Sequence, residues 1–95
     1  MLDSETRKVF HNVADKVLND LGWTGSSSRK DVENGVEVHI LNPETQKAAA
    51  FVILSNHRFL VKNSDLNEKD ERIYQTFYRR SEAVNLLSAI LEISV

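Results

Sequence analysis

The sequence contains no cysteine. This absence excludes disulfide bonds, catalysis by a thiolate and zinc sites built on cysteine. With three glycines and one proline, the chain has few residues that force a turn. We therefore expect long regular helices and strands, joined by short connections.

The sequence also lacks an excess of charge and a long apolar run. Twelve basic and 14 acidic residues give a net charge of −2, which is not the basic footprint that nucleic acid or an anionic membrane attracts. The longest apolar run, at 48–54, is far shorter than the roughly 20 residues of a membrane-spanning helix. Residues 1–5 lack the basic and apolar regions of a signal peptide. We expect a soluble, cytoplasmic protein with no membrane partner.

What the chain does contain is the composition of an ordinary globular protein. Of its 95 residues, 41% are hydrophobic and 27% are charged, values that exclude disordered and low-complexity classes. This length suffices for one modest core and not for two. We predict a single domain over residues 1–95.

The N-terminal segment has the pattern of an amphipathic helix over residues 3–21. Apolar residues recur at the three- and four-residue spacing of one helix face. Asp3 or Ser4 can accept from the free N–H groups of the first turn. Gly22 can adopt the left-handed conformation that ends a helix, and Trp23 stands where the hydrophobic contact of such a cap is expected.

The middle of the chain predicts three strands, at 36–41, 47–55 and 58–62. A turn at 42–45, with proline at its second position, joins the first two strands. Residues 24–34 are small and polar and predict a loop. A strand before the Asn34–Gly35 turn would set charged residues against core positions, so we do not expect a long one.

The loop lengths predict which strand residues share a face. A three- or five-residue loop pairs Ile40 with Ala48, and a two-residue loop at 56–57 pairs Leu54 with Phe59. Both pairings place one set on a common face, which we predict to be the core face: Val36, Val38, Ile40, Ala48, Ala50, Val52, Leu54, Phe59 and Val61. Agreement between the two hairpins is what a real register requires.

Residues 67–92 predict a long second helix, with Ser64 or Asp65 as its cap. The apolar arc in its second half is wide enough to contact both the sheet and the first helix; dimerisation through this helix is the alternative. The predicted order is α-β-β-β-α. We expect an α+β two-layer sandwich, with a three-stranded antiparallel meander and two helices on one face.

The opposite face of the predicted sheet is unusually apolar. A solvated antiparallel face normally alternates to polar residues, and a large exposed apolar patch marks an interaction site. We assign partner binding to six residues of this face: His39, Leu41, Phe51, Ile53, Leu60 and Lys62. The alternative is that the serine-rich loop with Trp23, or one of the helices, covers this face.

No motif for catalysis, a cofactor or a metal is recognisable. His11, His39 and His57 have neither helical spacing nor carboxylates in a ligand pattern, so each is interpreted as a solvated side chain. The three glycines are isolated and form no phosphate loop. We expect no enzyme activity, no catalytic residue, no cofactor and no bound metal.

These expectations lead to two hypotheses about function. The first is a protein-binding module that acts stoichiometrically as an inhibitor, immunity-type protein, adaptor or assembly factor, and that forms a homodimer through the apolar sheet face. The alternative is binding of RNA or single-stranded nucleic acid to this face, with Phe51 as the stacking platform among Lys47, Arg58 and Lys62.

Overall fold

The computed structural model describes residues 3–23, 25, 27–55, 58–63 and 75–93. Helices α1 (Ser4–Asp20) and α2 (Arg80–Leu91) flank five strands in sequence: β1 (Ser27–Val32), β2 (Gly35–Asn42), β3 (Lys47–Leu54), β4 (Phe59–Asn63) and β5 (Gln75–Phe77). The strands form one antiparallel sheet in chain order. The α+β class is confirmed, and the three predicted strands are the centre of the sheet.

Both ends of α1 are capped as the sequence predicts. The Thr6 backbone N–H donates to Asp3 Oδ1 over 2.8 Å, and this hydrogen bond lowers the pKa of Asp3 below its ordinary value. At the other end, Gly22 adopts φ +66°. Its N–H donates to Asn19 O, and the Trp23 N–H donates to Leu18 O. These two bonds make a Schellman motif.

Both helices pack on the same face of the sheet and enclose one core. Helix α1 contacts β2 and β3, whereas α2 contacts β3, β4 and β5. The buried core residues alternate along the strands and recur at helical spacing in α1 and α2: Phe10, Ala14, Val17, Leu21, Val36, Val38, Ile40, Ala49, Phe51, Ile53, Phe59, Val61, Ala83, Val84, Leu87 and Leu91. The predicted placement of two helices on one face is therefore confirmed.

Strand β3 lies one residue away from its predicted register. Ala49, Phe51 and Ile53 face the core, where Ala48, Ala50, Val52 and Leu54 were expected. A shift of one residue moves every side chain of a strand to the other face. Phe51 and Ile53 are fully buried beneath the helices, so their predicted place on the open face is wrong.

The two loops that flank β3 explain this shift. The β2–β3 loop has four residues, 43–46, and pairs Asn42 with Lys47. Gln46 closes it with φ +61°, and its N–H donates to Asn42 O over 2.8 Å. After β3, the Leu54 N–H donates to Arg58 O, which leaves three residues in the connection where two were expected. The first loop has four residues where three or five were predicted, and the second has three where two were predicted. Both differences shift β3 by one residue, so the two predicted pairings were consistent with each other although both were wrong.

Two edge strands extend the predicted meander. Strand β1 occupies part of the segment that predicted a loop, and β5 occupies part of the segment that predicted a helix. Phe77 in β5 pairs with Phe59 in β4, so it contributes to the sheet before α2 begins at Arg80. The predicted cap at Ser64 or Asp65 lies outside the described residues.

Candidate functional site

The six predicted partner-binding residues divide between the two faces of the sheet. His39, Leu41, Leu60 and Lys62 lie on the face turned away from the helices, which we call the outer face. Phe51 and Ile53 lie on the core face, with 0% and 3% of their surface exposed. Four of the six residues are therefore brought together, and two belong to the core.

The outer face is apolar even though Phe51 and Ile53 do not belong to it. Strand β3 is apolar on both sides, so the shift that buries Phe51 and Ile53 turns Val52 and Leu54 outward. The apolar residues of the outer face come from all three central strands: Leu41, Ala48, Ala50, Val52, Leu54 and Leu60. A conventional antiparallel sheet would carry polar residues at many of these positions.

The register arranges these residues in rows across the sheet. Leu41 stands opposite Ala48, and Val52 lies between Glu37 and Leu60. Ala50 and Val52 are buried among their neighbours and form a low floor, whereas Leu41 is 49% exposed. The accessible apolar surface of this face therefore comes mainly from Leu41, with smaller parts from the half-buried Ala48, Leu54 and Leu60.

Charged residues of both signs border this surface. His39 Nε2 lies 2.5 Å from Glu37 Oε2, so the imidazole and the carboxylate form a hydrogen bond along one strand. Lys30 of β1 stands opposite Glu37 in the register. On the other flank, Lys62 stands opposite Ala50 and is only 8% exposed, so most of its side chain is buried.

A cation–aromatic pair closes the end of the outer face that is opposite Leu41. The guanidinium carbon of Arg58 lies 5.3 Å from the centre of the Tyr78 ring, and Tyr78 is 66% exposed. Tyrosine and arginine are the residues that most often dominate protein interfaces. This pair was not predicted, because the pattern of residues 67–92 predicts a helix that includes Tyr78, whereas Tyr78 follows β5 and precedes α2.

The charged residues of β1 are occupied by α1. Arg29 pairs with Asp15, and Arg7 donates to Val32 O and Gly35 O over 3.1 Å each, which ties the β1–β2 turn to the helix. Inward-facing charges of this kind also discourage an edge strand from pairing with other chains.

His11 lies within this network, whereas the sequence predicted a solvated side chain. Its Nδ1 lies 3.2 Å from Arg29 Nη1, and its Nε2 lies 3.1 Å from Asp31 Oδ1. Because a guanidinium can only donate, Nδ1 accepts and Nε2 carries the proton that is donated to Asp31. The arrangement therefore gives His11 a structural role between α1 and β1.

Within the described ranges, no group of three or more histidine and acidic side chains is placed to hold a metal ion. His57 lies outside these ranges. Neither described helix has the length and apolar character that crossing a membrane requires.

Comparison of the chain with protein-family models, with curated proteins and with solved structures gave no match.

Proposed function

We propose that the chain is a protein-binding module that acts stoichiometrically, without catalysis, and that it forms a homodimer through the outer face. In this proposal it works in the cytoplasm as an inhibitor, immunity-type protein, adaptor or assembly factor. A cytoplasmic setting is compatible with a chain that has no cysteine.

One observation carries the proposal: the side of the sheet turned away from the helices is apolar across β2, β3 and β4, and Leu41 at its end is 49% exposed. Leu54 and Leu60 are half-buried, whereas Ala50 and Val52 have almost no exposed surface. A protruding leucine on an apolar sheet face is a surface to which a partner can bind. The Arg58–Tyr78 pair at one end supplies side chains of the type that anchor protein contacts.

The charge of this surface favours a second copy of the chain as the partner. The sheet measures about 20 Å by 25 Å, or about 500 Å², so a standard interface of roughly 800 Å² per partner also needs residues beyond the sheet face. Lys30 and Glu37 lie in one row and carry opposite charges. A two-fold axis over this row can set the lysine of each copy against the glutamate of the other.

The proposal predicts that Leu41→Glu separates the dimer and leaves the monomer folded. Leu41 is half exposed at the edge of the patch, so a carboxylate there is solvated in the monomer and desolvated only in the dimer. Val9→Glu is the matched control, because Val9 is an equally exposed apolar residue on α1. Size-exclusion chromatography with light scattering measures the mass of each variant, and circular dichroism verifies its fold.

We expect wild type and Val9→Glu to elute as dimers and Leu41→Glu as a folded monomer. A Leu41→Glu variant that still forms dimers would show that the outer face is not the interface. A wild type that stays monomeric at several hundred micromolar would overturn the homodimer.

Nucleic-acid binding, the alternative from the sequence, loses its main support. It relied on Phe51 as a stacking platform, and Phe51 has no exposed surface. Arg58 is already stacked on Tyr78 at the edge of the face. This alternative predicts affinity for single-stranded RNA that falls steeply with salt, which a titration at two ionic strengths measures.

A further inference from the structure

A cavity of about 300 Å³ lies at the end of the sheet where both helices terminate. We call it the end cavity. Its wall combines the segment after α1, the β2–β3 turn and the segment after α2: Gly22, Trp23, Gly25, Asn42, Pro43, Glu44, Glu92 and Ile93. It is separate from the outer face, because Asn42 points to the helix side of the sheet, where its side chain bonds to α2.

The charge of the end cavity is negative. Glu44 and Glu92 are its charged lining residues, and among the described residues no lysine, arginine or histidine lines it. Both helices present their C-terminal ends here without a basic residue in the last turn, so no side chain of that turn offsets their partial negative charge. None of the ion pairs among the described residues includes either carboxylate. Lys47 pairs with Asn42 in the register but does not line the cavity.

The remaining wall suits a flat or alkyl group that carries a positive charge. Trp23 is half-buried, and its indole is the aromatic surface that attracts cations most strongly. The backbone of Gly25 lies against this ring, since a Cβ there would be 3.0 Å from a ring carbon. Pro43 and Ile93 add apolar surface for an aliphatic stem.

Hydrogen bonds fix the two acidic segments relative to each other. Asn42 Nδ2 donates to Leu91 O over 2.8 Å, and Asn42 Oδ1 accepts from the Glu44 N–H over 3.1 Å. Thr45 Oγ1 also donates to Leu91 O. The turn that carries Glu44 is thereby attached to the end of α2, next to Glu92. A site assembled before binding loses less entropy when a ligand enters.

We propose that the end cavity binds an organic cation, the guanidinium or alkylammonium group that a basic side chain or a small amine carries. The cation stacks on Trp23, and Glu44 and Glu92 neutralise it. The volume is at the lower end of the roughly 300–1,000 Å³ of small-ligand sites, so it fits one side chain and not a large cofactor.

The chain supplies its own reporter for a test, because Trp23 is its only tryptophan. Intrinsic fluorescence and the indole N–H signal in NMR therefore both report on the end cavity. The probe is Nα-acetyl-arginine methylamide, and its matched control is the citrulline analogue, which has nearly the same shape without the charge. We expect the arginine probe to produce a saturable change at roughly millimolar concentration, and the citrulline probe to bind at least several-fold more weakly.

A parallel titration with ethylguanidinium separates the two sources of the cation. Equal affinity for both guanidinium probes indicates that the cavity recognises the cationic group of a free small molecule. Tighter binding of the arginine probe indicates a basic side chain of a polypeptide. Both results support a cation site.

Variants of the two carboxylates test the electrostatic part of the proposal. We expect Glu44→Gln and Glu92→Gln each to weaken the arginine probe roughly threefold, and the double variant about tenfold, since both carboxylates are exposed. Glu33→Gln is the control, because Glu33 lies in the β1–β2 turn and does not line the cavity. Thermal unfolding verifies that all four variants fold.

Three results would overturn this proposal: no saturable change with either guanidinium probe, equal affinity for arginine and citrulline, or full affinity in the folded double variant. The outcome is independent of the outer face, because none of the described outer-face residues lines the end cavity.

Discussion

At the scale of single residues, Gly35 is the position where the sheet leaves no room for a side chain. A Cβ at this residue would lie 1.8 Å from the Ile53 carbonyl oxygen, so the backbones of β2 and β3 approach each other more closely than any other residue permits. The Gly35 carbonyl also accepts from Arg7, which attaches this corner of the sheet to α1. The Asn34–Gly35 pair thus marks a turn and a close approach at once.

Gly35→Ala is therefore expected to destabilise the fold by about 2 kcal/mol or more, because the strands must separate to admit the methyl group. Gly22→Ala is the comparison. No atom lies within 4 Å of its added Cβ, so only the left-handed φ is penalised, at about 1 kcal/mol. Urea unfolding of both variants measures the order. A Gly35→Ala variant at least as stable as Gly22→Ala would contradict the close approach.

At the scale of elements, β3 shows why register is hard to read from an apolar strand. Alternation normally identifies the buried face, but β3 is apolar from Ala48 to Leu54 and has no alternation. The loops then decide the register. The four-residue loop ends with Gln46 in the left-handed conformation, and glutamine is not one of the residue types that predict this conformation.

Adjacent substitutions in β3 test this register. Ile53→Asp buries a carboxylate under the helices and is expected to lower the free energy of unfolding by about 4 kcal/mol or more. A loss of this size is most of the stability of a small domain. Leu54→Asp places the same group on the partly exposed outer face, and the chain should remain folded. Circular dichroism and thermal unfolding compare the two variants. The reverse order would restore the register predicted from the sequence.

The α1–β1 contact shows a second limit of pattern reading. Charged residues opposite Val36 and Val38 argue against a strand as long as only the sheet is considered. Arg29 and Asp31 find their partners on the helix, where Asp15 and His11 lie one turn apart. Such pairing across two layers is not visible from local periodicity.

At the scale of the whole molecule, the sequence predicted the class, the central meander and the capped first helix. It did not predict the edge strands, because β5 has only three residues and the inward-facing charges of β1 have their partners on α1. Of the candidate site, Leu41, Leu60, His39 and Lys62 lie together on the outer face, while Phe51 and Ile53 do not. The apolar character of that face persists because β3 presents apolar residues on either side.

The central claim is that this face joins two copies of the chain, and sedimentation equilibrium of the wild type tests it most directly. The monomer has a mass of 10.8 kDa. We predict that the average mass rises with concentration to twice this value and then stays constant, as a closed two-fold dimer requires. A mass that remains at the monomer value up to several hundred micromolar would contradict the account.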